Sequence, residues 1–370
     1  MSISLRDEAL TIFSHLAEIG PRCAGSPQEA TAAAFVNGRL RRAGLGVTTH
    51  PLSVSPRRRR LYGAAAAAGI FAALTAIFLP LPALALALAA TIIVGLDAAV
   101  GPLTQIGPRR ASQSIIGTQA IAGGAGLAPR SPRWRVVILA PLDSPTVAAG
   151  LSALAGSNRP AAQARVISLA LVVLVALAEL LNPHRGWVLL VVPVTIVFTL
   201  QLAGALRGPQ PAAHDGNLAA LTALVLAVQH VRTLDHVEIW AAAVGASTLD
   251  PGGIEDLLRI YPFEPVRTLF MTLEQFDGDQ LCYHVDAHPA QQKIVNLADL
   301  AATLSISAAG RTRADGAALV EPLRRRGMQT ISMYGRDSGT SAATRETTAL
   351  LSERAALLIA AIVEQLEDGG

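Results

Sequence analysis

Cysteine is scarce in this chain of 370 residues: there are two, Cys23 and Cys282, and their spacing fits neither a metal-binding nor a redox motif. A disulfide framework and cysteine-ligated zinc are excluded, and two unpaired thiols suit a reducing compartment. Charge is sparse too, at 15% of residues, and aromatics make up 4%. The net charge is +3, and the basic charge is almost all arginine, gathered beside apolar stretches. No nucleic-acid-binding motif and no basic patch interleaved with aromatics occurs, so nucleic acid is not an expected partner. Gly123-Gly124-Ala125-Gly126 lacks the Lys-Ser/Thr of a phosphate loop and reads as a flexible turn. Residues 1–20 are polar and amphipathic, without the apolar core of a signal peptide.

Hydrophobic residues are what the chain has in abundance, at 51%. Crossing a bilayer takes about 20 residues of helix. Four stretches are predicted to do so: Leu61 to Leu79, Pro82 to Leu103, Val166 to Leu181 and Trp187 to Leu206. Pro80 and Pro82 are expected to stop the first helix and make a hairpin turn, and Asn182-Pro183-His184-Arg185-Gly186 to make a second. Buried core helices are the alternative; the near absence of charge in these windows argues against it. Asp97 is the exception, read as reaching the interface, with a buried functional carboxylate as the other reading. Two hairpins return the chain to one side each time. Arg57 to Arg60, Arg109, Arg110, Arg165 and Arg207 flank the spans there, whereas the opposite turns hold only His184 and Arg185. The positive-inside rule then places the polar sections in the cytoplasm. The expectation is a multi-pass protein of the cell inner (cytoplasmic) membrane, with the lipid bilayer as a partner. Gly63, Gly69 and Gly95 suit close helix packing against a membrane-protein partner or a second copy.

With the hairpins set aside, an α/β pattern remains. Residues 5–19 read as an amphipathic helix. Ser26-Pro27-Gln28-Glu29 reads as a capping box with proline at the first helical position, opening a helix that runs to about Ala43 and ends at Gly44. Strands are predicted over Gly46 to Val54, Arg135 to Ala140, Val237 to Ala243, Arg267 to Leu273 and Thr330 to Tyr334. Helices are predicted over Leu218 to Val231 and Leu350 to Leu366. This alternation implies a mostly parallel mixed sheet flanked by helices, with loops after the strand C-terminal ends carrying any chemistry. Those loops begin at Pro141, Gly245, Glu274 and Gly335. The expected organisation is a polar domain in three parts, 1–60, 104–165 and 208–370, interrupted by transmembrane hairpins at 61–103 and 166–207.

The order of these pieces resembles the zinc-dependent exopeptidase family of bacterial aminopeptidases and glutaminyl cyclases. Ile19-Gly20-Pro21-Arg22 followed by Gly25-Ser26-Pro27 resembles that family's N-terminal signature, and Gln113 to Gly117 its first core strand. Val136 to Ser144 resembles the strand that ends in His-x-Asp-Ser, and His214-Asp215-Gly216-Asn217 the loop with the bridging aspartate. Val237 to Thr248 resembles the strand ending in paired glutamates, and Thr272-Leu273-Glu274-Gln275 the one ending in another acidic ligand. Ala314-Asp315-Gly316, then Gly327 to Tyr334, resembles the stretch before the last ligand histidine. The two inserted hairpins depart from the secreted members.

Two-zinc hydrolysis needs about five nitrogen or oxygen ligands and a carboxylate base. By this resemblance, Pro141 stands at the first histidine ligand and offers no donor atom. Asp143 keeps the orienting aspartate. Asp215 keeps the bridging aspartate, with His214 in its place if the loop shifts by one. Ser247 and Thr248 stand at the paired glutamates, base and ligand, and a hydroxyl is no general base at neutral pH. Glu274 keeps the fourth, acidic ligand. Ala342 stands at the final histidine, with Glu346 in the nearby acidic slot. Two ligands of five remain, so no catalytic residue, metal site or cofactor is expected.

Other groups were weighed from the residues alone. His284-Val285-Asp286-Ala287-His288 on a strand would put three donors on one face; a solvated strand end and loop is the simpler reading. His214, His230 and His236 are scattered and read as surface or interface residues. Ser144, Ser247 and Ser332 have no Ser-His-Asp context. Arg324-Arg325-Arg326 reads as a solvated helix end, with anionic lipid as the other reading. Three functions compete: a catalytically inactive, membrane-anchored scaffold or accessory subunit; a working metallopeptidase that uses zinc on rearranged ligands (His214, Asp215, Glu274, His284 and His288); and a metal-free module that binds a small molecule or lipid.

Overall fold

The computed structural model describes residues 4–54, 58–100, 110–119, 121, 132–144, 146–147, 154, 159–207, 210–211, 216–231, 234–248, 252–286, 297–308, 319–336 and 344–369. The chain divides into two compact units. One comprises Met1–Val54, Ala111–Pro145 and Pro211–Gly370; the other comprises Ser55–Arg110 and Thr146–Gln210.

In chain order the elements are α1 (Leu5–Ile19), α2 (Pro27–Arg42), β1 (Gly46–Val54), α3 (Arg58–Thr75), α4 (Pro80–Val100), β2 (Arg110–Gln119), β3 (Trp134–Pro141) and β4 (Thr146–Val147). There follow α5 (Arg159–Leu181), α6 (Val188–Arg207), β5 (Gln210–Pro211), α7 (Gly216–His230), β6 (Val237–Val244), α8 (Gly252–Ile260) and β7 (Thr268–Leu273). The chain closes with β8 (Gln280–Asp286), α9 (Leu297–Thr303), β9 (Ser307–Ala308), α10 (Val320–Arg325), β10 (Gln329–Arg336) and α11 (Arg345–Asp368).

The first unit is an eight-stranded mixed sheet in the order β1-β2-β6-β3-β7-β10-β8-β9. Strands β6, β3, β7 and β10 run parallel, while β2 and β8 flank them antiparallel. The four parallel strands are apolar nearly throughout because helices cover both faces. On one face Val136, Ile138, Met271 and Ile331 pack with α1, α7 and α11. On the other, Val137, Leu139 and Phe270 meet Ile254 and Leu257 of α8 and Leu323 of α10. The C-terminal ends of the parallel strands converge at Pro141, Val244, Leu273 and Arg336, where α7 begins.

Local chemistry explains most boundaries. Ser26 caps α2 by accepting from the Glu29 amide, with Pro27 at the first helical position. The expected capping box is only half made. The Glu29 carboxylate turns inward, accepting from the Gly25 amide at 2.6 Å and the Ser112 hydroxyl at 2.7 Å. A complete box instead opens α11, between Thr344 and Thr347, five residues before the predicted start. Strand β8 was read only as a solvated strand end, yet its alternation is regular. Leu281, Tyr283 and Val285 pack on one core, which leaves Cys282, His284 and Asp286 for the other face.

In the second unit small residues form the interior and large ones the exterior. Ala65, Ala66, Ala72, Ala87 and Ala176 are buried with Phe198, whereas Phe71, Phe78, Leu81, Ile92, Leu181 and Leu189 are exposed. A methyl group on Gly69 would lie 2.6 Å from the Phe198 ring, so α3 and α6 approach closely only through glycine there. Among the described residues, two helices are long and apolar enough to cross a membrane, Ala161–Leu181 and Leu189–Arg207, not the four expected. In the first hairpin α3 stops at Thr75, four residues short of the predicted Leu79, whereas α4 continues to Val100. Pro80 and Pro82 do not form the break between them. Pro80 is the first residue of α4, where a missing N–H costs nothing, and the turn lies at residues 76–79.

Candidate functional site

The strand ends hold a buried polar cluster built around Asp143, which follows β3 and is 0% exposed. Its Oδ1 accepts from the Ser247 amide at 2.9 Å and the Ser247 hydroxyl at 2.7 Å. Its Oδ2 accepts from the Thr248 amide at 3.0 Å and from the Thr248 hydroxyl. Thus Ser247 and Thr248, in the turn after β6, fill both oxygens of the aspartate. The Asp143 carbonyl accepts from Asn217 Nδ2 of α7 at 3.0 Å. Arg22, fully buried, donates through Nε to the Leu142 carbonyl at 3.0 Å, and its amide donates to Ser144 Oγ at 3.0 Å.

Two close approaches shape this region. A methyl group on Gly245 would sit 2.2 Å from the Gln113 carbonyl, and the Gly245 amide donates to Ser114 Oγ at 3.1 Å. Ala246 and Gln275 hold left-handed backbone conformations, with φ of 54° and 51°. Each costs on the order of 1 kcal/mol, and they precede Ser247 and follow Glu274, so the strain sits at the cluster itself.

Three carboxyls are buried here, and burial is the leading reason each binds its proton more tightly than usual. Asp143 is raised by desolvation against its four hydrogen bonds. Glu29 is raised by desolvation, opposed by Ser112 and Gly25 and reinforced by the Asp143 charge. Glu274 is raised to about 7 by desolvation, opposed by the Leu319 amide and reinforced by Asp143. A carboxyl that goes from 4.5 unfolded to about 7 folded stabilises the fold fully below 4.5, and that contribution disappears as pH rises through about 7. The unfolding free energy should therefore fall by about 3 kcal/mol between these pH values. Glu274→Gln should flatten most of that slope in pH-dependent denaturant melts; an unchanged slope would assign it elsewhere.

Of the residues singled out from sequence, Asp143, Ser247 and Thr248 are in direct contact, and Glu274 is close enough to feel the Asp143 charge. Pro141 ends β3 in register with Val244. His214, Asp215, His288 and Ala342 lie outside the described residues, as do Gly123 to Gly126. Glu346 sits in the first turn of α11, with Arg6 3.6 Å from it. His284 is on β8, two strands from β7. Its Nε2 lies 3.5 Å from Asp286 Oδ1, so this pair of the proposed cluster does come together. Ser332, expected to have no Ser-His-Asp context, stands directly opposite His284 in the β8–β10 register. Arg324 and Arg325 end α10 and both pair with Glu321, as a solvated helix end does. Sequence reading missed Glu29, Ser112 and Arg22 as members of the cluster. The available signal for Glu29 was an acid at the third position of a capped helix, which points as readily to a cap.

Among the described residues the donors do not make up a two-zinc centre, and His214 and Asp215 lie outside them. Pro141 has no donor, both oxygens of Asp143 are taken by four N–H and O–H groups, and Ser247 and Thr248 supply neutral hydroxyls. Among the described residues no three His, Cys, Asp or Glu side chains gather as a metal site.

No family model and no curated protein matches this sequence. Solved structures do. A zinc aminopeptidase from Bacillus subtilis superposes with a TM-score of 0.52 at 14% identity, over 98% of this chain and 96% of its own. A glutaminyl cyclase from Porphyromonas gingivalis gives 0.50 at 11% identity, over 97% and 98%. The chain has an aminopeptidase/glutaminyl cyclase-like fold.

Proposed function

We propose that this protein is a membrane-anchored, metal-free derivative of the zinc exopeptidase fold that serves as a scaffold or accessory subunit of a membrane complex. The observation that carries the reading is the saturation of Asp143. The groups standing at the base and ligand positions donate to a neighbouring carboxylate, so they offer no lone pair arrangement suited to zinc and no proton acceptor for water. The sheet, its caps and its tight glycine contacts persist around that change, as a binding role requires.

Anchoring is supported by the inside-out packing of the second unit, where alanine fills the interior and leucine and phenylalanine face outward. In this reading α5 and α6 cross the bilayer and the shorter α3–α4 hairpin crosses with them, completing four spans. Arginine beside the helix ends on one side favours the inner membrane, with the polar unit cytoplasmic. The partner is a membrane protein or a second copy.

Metal analysis of the purified full chain tests the first half. Zinc well below one equivalent is expected, with no release of N-terminal residues from peptides. Stoichiometric zinc with aminopeptidase activity abolished by Asp215→Ala would overturn it. Recovery of an equimolar membrane protein after mild detergent extraction tests the second half.

A further inference from the structure

Strands β8 and β10 carry a second group of polar side chains. Leu281, Tyr283, Ile331 and Met333 belong to the core on one sheet face, and Val285 packs against it. His284 and Asp286 alternate with them on β8, and Thr330 and Ser332 on β10, so all four rise from the other face. The antiparallel register sets Ser332 opposite His284 and Thr330 opposite Asp286. Neighbouring strands lie about 4.8 Å apart and alternate residues about 6.6 Å apart, so the four stand at the corners of one small rectangle. Thr330 and Ser332 are 0% and 9% exposed. Thr330 Oγ1, Ser332 Oγ and Asp286 Oδ2 are buried without a hydrogen-bond partner among the described residues. His284 Nε2 stands 3.5 Å from Asp286 Oδ1, beyond the roughly 2.7–3.2 Å of an N–H···O bond.

Buried oxygens without partners are rare and call for something that satisfies them. A largely buried carboxylate also calls for positive charge, and among the described residues no arginine or lysine lies within ion-pair distance of Asp286. Two ligands each about 2.1 Å from one ion stand ~3.0–3.4 Å apart, from octahedral to tetrahedral angles. His284 and Asp286 are thus spaced as two ligands of one ion rather than as a hydrogen-bonded pair. Two side chains alone would hold an ion poorly; the Thr330 and Ser332 hydroxyls raise the donors to four. One imidazole nitrogen, one carboxylate and two hydroxyl oxygens make a mostly hard set, which suits manganese(II). We propose that His284, Asp286, Thr330 and Ser332 bind one divalent ion of the manganese class, pinning β8 to β10. This site goes beyond the scaffold reading and uses none of the strand-end donors on which that reading rests.

The test uses the full chain in detergent, stripped with EDTA and titrated with manganese chloride. Magnesium chloride at equal ionic strength is the control. A saturable rise in melting temperature at one ion per chain is expected with manganese, and a much weaker one with magnesium. Spin-echo spectra of the bound ion should show modulation by one imidazole nitrogen, and His284→Gln should remove it. Asp286→Asn should weaken manganese about a hundredfold, since loss of a group that merely supports a ligand already costs ~10–100-fold. Thr330→Val and Ser332→Ala each remove one neutral donor and should cost about tenfold. They stand in if the asparagine variant fails to accumulate. No saturable shift, an equal response to magnesium, no nitrogen modulation, or undiminished affinity in these variants would overturn the site and leave ordered water between the strands. Asp215→Ala should leave the affinity for manganese unchanged. Loss of the ion in that variant would move it to the strand ends, against both this site and the metal-free reading, whereas a protein indifferent to manganese sinks this proposal alone.

Discussion

Asp143→Ala should lower the unfolding free energy by about 4 kcal/mol, taking ~1–3 kcal/mol for each buried donor left unpaired. The Ser247 and Thr248 amides both donate to this carboxylate at 2.9–3.0 Å, and neither can turn elsewhere. The hydroxyls have more freedom; Thr248 Oγ1 already lies 3.2 Å from the Ser144 carbonyl. Relief of burying a carboxylate, the cause that raises the Asp143 proton affinity, offsets part of the loss. Asp143→Asn keeps one acceptor and turns an amide donor against the other donors, so about half the loss is expected. Ser247→Ala and Thr248→Val leave both amide bonds intact and should cost about 1 kcal/mol each. Denaturant melts of the full chain in detergent, followed by tryptophan fluorescence, read all four. A loss under 1 kcal/mol in the alanine variant would mean that Asp143 does not organise the strand ends.

A single methyl group at Gly245 should be nearly as damaging, at about 3 kcal/mol. The added carbon would fall 2.2 Å from the Gln113 carbonyl and 2.7 Å from Ser112 Oγ. Behind it, a methyl group on Gly253 would fall 2.1 Å from the Gly245 carbonyl. Backbone presses from both sides, so no rotamer change makes room, and β2, β6 and α8 would have to part. Gly252→Ala, one residue before Gly253, has nothing within 4 Å of its added carbon and is the control. Equal melting temperatures for the two variants would show that the close approach carries no weight.

How much of this was legible beforehand varies with the kind of signal. Buried parallel strands were read to within a residue or two at Trp134–Pro141, Val237–Val244 and Thr268–Leu273, because a run of branched apolar residues has few other uses. Strand β8 was not, although Leu281, Tyr283 and Val285 alternate with polar residues, because His284 and Asp286 drew attention as donors. The first span was overread and the third underread: apolar residues continue past Thr75, where α3 ends, α5 begins at Arg159 ahead of the predicted Val166, and composition alone does not say where a turn falls. The family resemblance set Pro141, Ser247 and Thr248 at ligand and base positions as an expectation. The contacts that Ser247 and Thr248 make were not legible. A serine and a threonine reaching 104 and 105 residues back to one carboxylate leave no local pattern to read. The same holds for Glu29, whose bond to Ser112 spans 83 residues.

The strand order fixes a sequence of events during synthesis. Strand β6 lies between β2 and β3, yet it is made after both, and after α3 to α6 have all emerged. Until residue 244 has left the ribosome, β2 and β3 each keep a raw hydrogen-bonding edge where their shared neighbour belongs, the kind of edge that recruits stray strands. The nascent chain must therefore release its apolar helices before its sheet can close, and a ribosome stalled before β6 would leave a sheet with an open seam.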